Sequence, residues 1–174
     1  MLSTAAPVTK FKPSIGNTSF KKHRSLHKSH GKMKHRFHLR GPLAAMPCVL
    51  CVDDDPDIQT IVEMRMRQYR VQVERAFHGM QGIMEAIRNQ PELILLDLAM
   101  PNGNGIEVLE SLRRNSQVAH IPVVVITGMR DQRLLSRVRA SGAHAIINKP
   151  IDFELLVDTI GNIIDLEPAE PRDW

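Results

Sequence analysis

The first 45 residues contain no aspartate and no glutamate. They hold seven Lys, three Arg and five His, a formal charge of +10. From residue 46 onward 13 basic groups face 19 acidic ones, a net of −6, so the whole-chain value of +4 averages a basic arm with an acidic domain. Cysteine is scarce, with Cys48 and Cys51 as the two members of a C-x-x-C. Two thiols exclude a disulfide framework. Redox use of such a pair wants a helix N-terminus to lower a thiol pKa. Here the pair lies inside the apolar run Cys48-Val49-Leu50-Cys51-Val52, which reads as a buried strand. A structural zinc site would need two more ligands nearby. The plain reading is two small core residues in a reducing compartment, which places the chain in the cytoplasm. No apolar run approaches the roughly 18 residues needed to span a membrane. The start also lacks the apolar h-region of a secretory signal.

Residues 1–45 show little apolar periodicity and cannot offset their ordering entropy by burial, so they read as a disordered extension. The arm is open to several readings. It is a solvated extension, an upstream start preceding a natural first residue at Met46, a transit peptide, or a tether to nucleic acid or another anionic surface. Its five histidines (His23, His27, His30, His35 and His38) have no spacing that favours a metal.

From residue 47 strand and helix signals alternate. Cys48–Val52 ends in Asp53-Asp54-Asp55-Pro56, and a helix follows from about Asp57 with Ile58, Ile61, Val62 and Tyr69 on one face. Val71–Phe77 reads as a strand. Met80, Ile83, Met84 and Ile87 then form the stripe of an amphipathic helix, stopped at Asn89-Gln90-Pro91. Leu93–Leu96 is an apolar strand ending at Asp97, followed by the turn Met100-Pro101-Asn102-Gly103-Asn104-Gly105 and a helix with Ile106, Leu109 and Leu112. Ile121–Ile126 runs into Thr127, and Leu134, Leu135 and Val138 face inward from the next helix. Ala145–Ile147 runs into Asn148-Lys149-Pro150, and a last helix from about Asp152 buries Leu156, Ile160, Ile163 and Ile164. Uninterrupted apolar strands imply a sheet covered on both faces. Right-handed crossovers then give an α/β fold, a doubly wound five-stranded parallel sheet in a three-layer sandwich over residues 46–166, with a short tail at 167–174.

Polar residues fall where such a sheet carries its site, beyond the carboxyl ends of the strands. Four strands end in Asp53-Asp54, Asp97, Thr127 and Lys149, separated from Asp54 onward by 43, 30 and 22 positions. Three clustered carboxylates repel, so a cation or a positive side chain must sit among them. Hard oxygen ligands favour Mg²⁺, which keeps room for phosphate oxygens. Lys149 is the one lysine after residue 45, in a segment that otherwise uses arginine, and a compact ammonium suits a transferring phosphoryl group. An aspartate can itself be the nucleophile and form an acyl phosphate.

Together these motifs resemble the response-regulator receiver family of two-component signalling, including the stand-alone chemotaxis regulators. The resemblance covers residue 48 to about residue 164. It rests on Val-Leu-Cys-Val-Asp53-Asp54-Asp55-Pro, Leu-Ile-Leu-Leu-Asp97-Leu-Ala-Met-Pro, Val-Val-Val-Ile-Thr127-Gly and Ile-Ile-Asn-Lys149-Pro150. It implies a (βα)5 flavodoxin-like fold and a phosphorylation switch; only a short tail follows residue 166, so a stand-alone receiver without an output domain is expected. Asp97 would be the phosphoacceptor. Asp54, Asp97 and the Ala99 backbone carbonyl would bind Mg²⁺, with Asp53 acting through water. Thr127 and Lys149 would contact the phosphoryl group, Gly128 would leave the acceptor accessible, and Pro150 would follow a cis peptide bond. The phosphoryl donor would be a histidine kinase or a phosphotransfer protein.

One departure stands out. The family usually carries Tyr or Phe three residues before the lysine, where this chain has Ile146. Arg130, Arg133 and Arg137 recur at spacings of three and four, so a downstream protein target is expected on the face formed by residues 130–164. Nucleic acid would bind through the 1–45 arm alone, and no membrane contact is expected. A competing class is the haloacid-dehalogenase-like phosphohydrolase, an enzyme with an Asp nucleophile, Mg²⁺, a hydroxyl and a lysine. It wants Asp-x-Asp-x-Thr/Val on the first strand; Asp53-x-Asp55 is present, but Asp57 takes the last position. There is also no room for a cap domain.

Overall fold

The computed structural model describes residues 46–101 and 105–170. The basic arm, with any tether in it, lies outside the described residues, as do residues 102–104 of the Pro/Gly turn. Among the described residues five strands and five helices alternate. In chain order they are β1 (Cys48–Val52), α1 (Pro56–Met66), β2 (Gln72–Ala76), α2 (Gly79–Asn89), β3 (Leu93–Asp97), α3 (Gly105–Arg114), β4 (Val123–Thr127), α4 (Gln132–Ala140), β5 (Ala145–Asn148) and α5 (Phe153–Gly161). The strands form one parallel sheet in the order β2-β1-β3-β4-β5.

Successive side chains on a strand point to opposite faces, so each apolar strand serves two cores. Leu50, Val52, Ile94, Leu96, Val123 and Val125 meet Ala86, Leu109, Leu112 and Val138 on one face. Val49, Cys51, Leu93, Leu95, Val124 and Ile126 meet Val62, Met66, Leu156 and Ile160 on the other. Full burial of one such Leu or Ile contributes about 1.5–3 kcal/mol, so both layers are held chiefly by apolar burial. The start of β4 falls two residues later than the apolar run suggests, because Pro122 has no N–H for the ladder. Its carbonyl still accepts from Ile94 N at 3.0 Å.

Aspartates set where α1, α4 and α5 begin. Asp55 caps α1, accepting from Asp57 N and Ile58 N with Pro56 in the first turn, and Asp152 caps α5 in the same way. The third acid of the Asp53-Asp54-Asp55 run is therefore a helix cap. At the end of α2, Gln90 takes a left-handed conformation, φ 49°.

Two helix faces differ from the sequence pattern. On α2 the residues inside are Gly79, Gly82 and Ala86, while Met80 and Met84 are 65% and 63% exposed. The buried face is rotated by roughly 100°, one residue, from the methionine stripe. The cause is close packing: a Cβ on Gly82 would lie 2.8 Å from Val52 Cγ1. Small residues let α2 approach the sheet, and the larger Ile83 and Ile87 flank the contact half-buried. On α1 the buried residues are Gln59, Val62 and Met66, at spacings of three and four, and Ile61 faces outward at 37% exposure.

After α5 the chain folds back to the α1–β2 connection. Arg70 N donates to Glu167 O at 2.8 Å and Ala169 N to Gln68 O at 2.9 Å, around an antiparallel bridge between Tyr69 and Pro168. Among the described residues no helix is long and apolar enough to cross a membrane.

Candidate functional site

The chain leaves β1 in one direction to form β2 and later returns on the other side as β3, so strand order reverses between β1 and β3. A crevice beyond the strand ends at that point is where doubly wound sheets bind ligands. Asp53 and Asp54 follow β1 there, and Asp97 is the last residue of β3. Carboxylate oxygens of all three lie within 4.8 Å of one another. Asp53 and Asp97 are almost fully buried, at 2% and 3% exposure, and Asp54 is the most accessible of the three.

Lys149, just past β5, reaches across this cluster. Its Nζ stands 3.1 Å from Asp53 Oδ2 and 3.2 Å from Asp97 Oδ2. Burial pushes the Asp53 carboxyl above its ordinary value, and the lysine and the Asp55 N–H only partly oppose it. Burial works against the Lys149 charge, but the hydrogen bond and the two carboxylates outweigh it and hold the ammonium above its usual range. Lys149 is therefore a charged counter-ion at any ordinary pH.

The remaining expected residues surround this core. Thr127 is fully buried at the end of β4, and its Oγ1 accepts from Met129 N at 3.1 Å. Lys149 N donates to Thr127 O at 2.8 Å, which ties the lysine to the hydroxyl-bearing strand end. The Lys149–Pro150 peptide bond is cis. Ala99 is exposed in the loop after β3. Gly105 begins α3 against that strand end, where a Cβ would lie 2.4 Å from Asp97 O. Gly128 has open space around it. Ile146 is half-buried and packs with Met129 and Leu134 against the α2–α3–α4 core. Arg130 lies in the loop before α4 rather than on the helix, and both it and Arg133 of α4 are exposed; Arg137 of α4 pairs with Glu110 of α3 at 2.9 Å.

One residue at the site is absent from the sequence reading. Gln59 of α1 is fully buried, and its Nε2 donates to Asp53 O at 2.6 Å and to Ala76 O at 2.9 Å. A polar side chain three positions before Val62 and seven before Met66, on a buried stripe, was the available signal.

The donor set fits a divalent cation. Asp97 Oδ1 is buried and has no hydrogen-bond partner, a costly state for a carboxylate oxygen unless a ligand takes it up. One lysine cannot neutralise three carboxylates. The donors are all hard oxygens, as Mg²⁺ prefers. The thiols of Cys48 and Cys51 are unsuited to reaction, each pushed up to about 12, chiefly by burial.

Residues 49–161 match the response regulator receiver domain family. The chain belongs to that family. It is 36% identical over 109 residues to the DNA-binding dual master transcriptional regulator RpaA of Synechocystis sp., covering 63% of this chain and 45% of RpaA. It is 28% identical over 119 residues to protein PilH of Pseudomonas aeruginosa, covering 68% of this chain and 98% of PilH. The solved structure of chemotaxis protein CheY4 of Vibrio cholerae superposes with a TM-score of 0.64 at 28% identity, covering 69% of this chain and 100% of that one. The chain thus spans less than half the length of RpaA and nearly all of PilH. As a receiver domain it is a phosphoacceptor signalling module of the two-component type with the flavodoxin-like (βα)5 fold. The match favours the switch over the phosphohydrolase reading.

Proposed function

We propose that Asp97 accepts a phosphoryl group from the phosphohistidine of a kinase or phosphotransfer protein, in a site that binds Mg²⁺. The observation that carries this reading is the buried Asp97 carboxylate, with one oxygen on Lys149 and the other unpartnered, facing two further carboxylates. Asp54, Asp97 and the Ala99 carbonyl are the proposed metal ligands, and Asp53 acts through water. The metal would supply positive charge to the phosphoryl oxygens during transfer. Asp97 attacks phosphorus, the N–P bond of phosphohistidine breaks, and its electron pair returns to the imidazole. Lys149 offsets the charge on the transferred group, and the Thr127 hydroxyl hydrogen-bonds one of its oxygens. Self-phosphorylation and self-dephosphorylation are the only chemistry proposed.

A protein target is proposed on the face spanning residues 130–164, where Arg130 and Arg133 are free of the Arg137–Glu110 pair. Drawing the Thr127 hydroxyl toward a phosphoryl group would break its bond from Met129 N. Met129, Leu134 and Ile146 all rest against the same apolar core, so aliphatic side chains stand where the family usually has an aromatic ring. The unreactive thiols of Cys48 and Cys51 suit a reducing, cytoplasmic setting.

Acetyl phosphate and Mg²⁺ together should load a single labile phosphoryl group, lost when EDTA replaces Mg²⁺ and lost in Asp97→Asn. Loading that ignores EDTA, or steady turnover of a free phosphomonoester, would overturn the reading. For the target face, beryllofluoride should shift amide resonances from residue 127 out to residue 147. Shifts confined to the metal ligands would remove it.

A further inference from the structure

Helix α1 buries three side chains completely: Val62, Met66 and Gln59. Two are apolar, and the third is a carboxamide with two donors and an acceptor oxygen. Burying such a group is costly unless each polar atom finds a partner. Both donors do, on Asp53 O and Ala76 O, but Oε1 is buried without one. That orphan oxygen argues that the carboxamide is there for where its donors point.

They point at the peptide that carries the metal site. Asp53 O belongs to the Asp53–Asp54 peptide group, which is planar. Fixing that oxygen fixes the plane from which both acids project. The same small network holds the other side of Asp53, whose N–H donates to Ala76 O at 3.1 Å. The Asp53 carboxylate is then held by Asp55 N at 2.9 Å and by Lys149. Backbone and side chain of Asp53 are thus set by separate groups, and Gln59 is the one that comes from helix α1.

We infer that Gln59 is a positioning residue for the cation site: its buried carboxamide locks the Asp53–Asp54 peptide so that both carboxylates converge on Asp97. This rests on the proposal that the cluster binds Mg²⁺. Groups that orient metal ligands without touching the metal typically alter affinity by about 10–100-fold when removed.

The test uses the full chain with Mg²⁺ alone as probe, followed by calorimetry or amide shifts. Gln59→Met keeps the length and removes both donors. Val62→Ala, one turn away on the same buried face, is the control for plain destabilisation. Gln59→Met should weaken Mg²⁺ binding about tenfold or more, whereas Val62→Ala, though less stable, should stay within about twofold of wild type. The half-saturating Mg²⁺ for phosphorylation should rise in parallel, with the rate at saturating Mg²⁺ largely kept. Gln59→Asn, which keeps the amide but cannot span both carbonyls, should behave likewise and serves if Gln59→Met does not fold. Unchanged Mg²⁺ affinity in a folded Gln59 variant overturns the inference while the metal reading stands. A wild-type chain that binds no Mg²⁺ fails the metal reading itself, and the inference with it.

Discussion

Replacing Lys149 by methionine removes the ammonium that stands 3.1 and 3.2 Å from two buried carboxylates and leaves its aliphatic bulk. At an effective dielectric constant of about 20, each contact is worth about 5 kcal/mol of gross Coulomb attraction. Desolvation and repulsion offset much of this, and stripping one partner from a buried ion pair costs about 3–5 kcal/mol net. The cluster has an escape, because one carboxyl can bind a proton. For a group of ordinary pKa near 4 that costs about 4 kcal/mol at pH 7 and about 1.5 kcal/mol at pH 5. Protonation therefore caps the loss, and the cap falls with pH. The expected destabilisation is about 3–4 kcal/mol near pH 7, shrinking to about 1.5 kcal/mol near pH 5. Urea denaturation of wild type and Lys149→Met, in EDTA at both pH values, measures it. Saturating Mg²⁺ should recover part of the loss near pH 7 by supplying the missing charge. A loss of equal size at both pH values, unaltered by Mg²⁺, would rule out the electrostatic role, because the lysine would then act through packing alone.

Three further outcomes follow from the same geometry. The Asp53 carboxyl lies above its ordinary value of 3.8 in the fold, so between that value and its raised one the native state holds more protons than the unfolded chain. Wild type in EDTA should accordingly gain stability from this group as pH falls through the raised pKa, with no further gain once pH is below 3.8, and Mg²⁺ should flatten the slope, as pH-dependent denaturation would show. Gly105→Ala places a Cβ 2.4 Å from Asp97 O, so the start of α3 or the end of β3 must shift, at about 1–3 kcal/mol in thermal unfolding and with slower phosphorylation; an unchanged melting point and rate would contradict the close approach. Cys51, fully buried and with its thiol pushed up to about 12, should react with a disulfide reagent near pH 8 only as fast as the native state opens, and prompt labelling of Cys51 without denaturant would contradict its burial.

The fold was legible because a parallel sheet writes itself plainly. Leu93–Leu96 and Val123–Ile126 are uninterrupted apolar runs, and the residues that end them carry the site. Asp53, Asp54, Asp97, Thr127 and Lys149 lie far apart in sequence, yet each stands at a strand end, so the topology brings them together. The parts that stayed hidden depend on shape rather than hydropathy. Met80 and Met84 outrank Gly79 and Gly82 as apolar residues, but only the glycines fit against Val52 and Val108. Gln59 gave little sign in the sequence, because a glutamine on a helix is ordinarily exposed. Asp55 was given no role of its own, although an acid directly before Pro56 reads as a helix cap.

We propose the buried, half-partnered Asp97 as the residue that takes the phosphoryl group. An aspartyl phosphate is an acyl phosphate, so borohydride reduces it to homoserine and marks the residue permanently. Tandem mass spectrometry of the chain after acetyl phosphate, Mg²⁺ and borohydride should place homoserine at position 97 and leave Asp53 and Asp54 intact. Homoserine at 53 or 54 in the wild-type chain, or none at 97 after demonstrated loading, would contradict it.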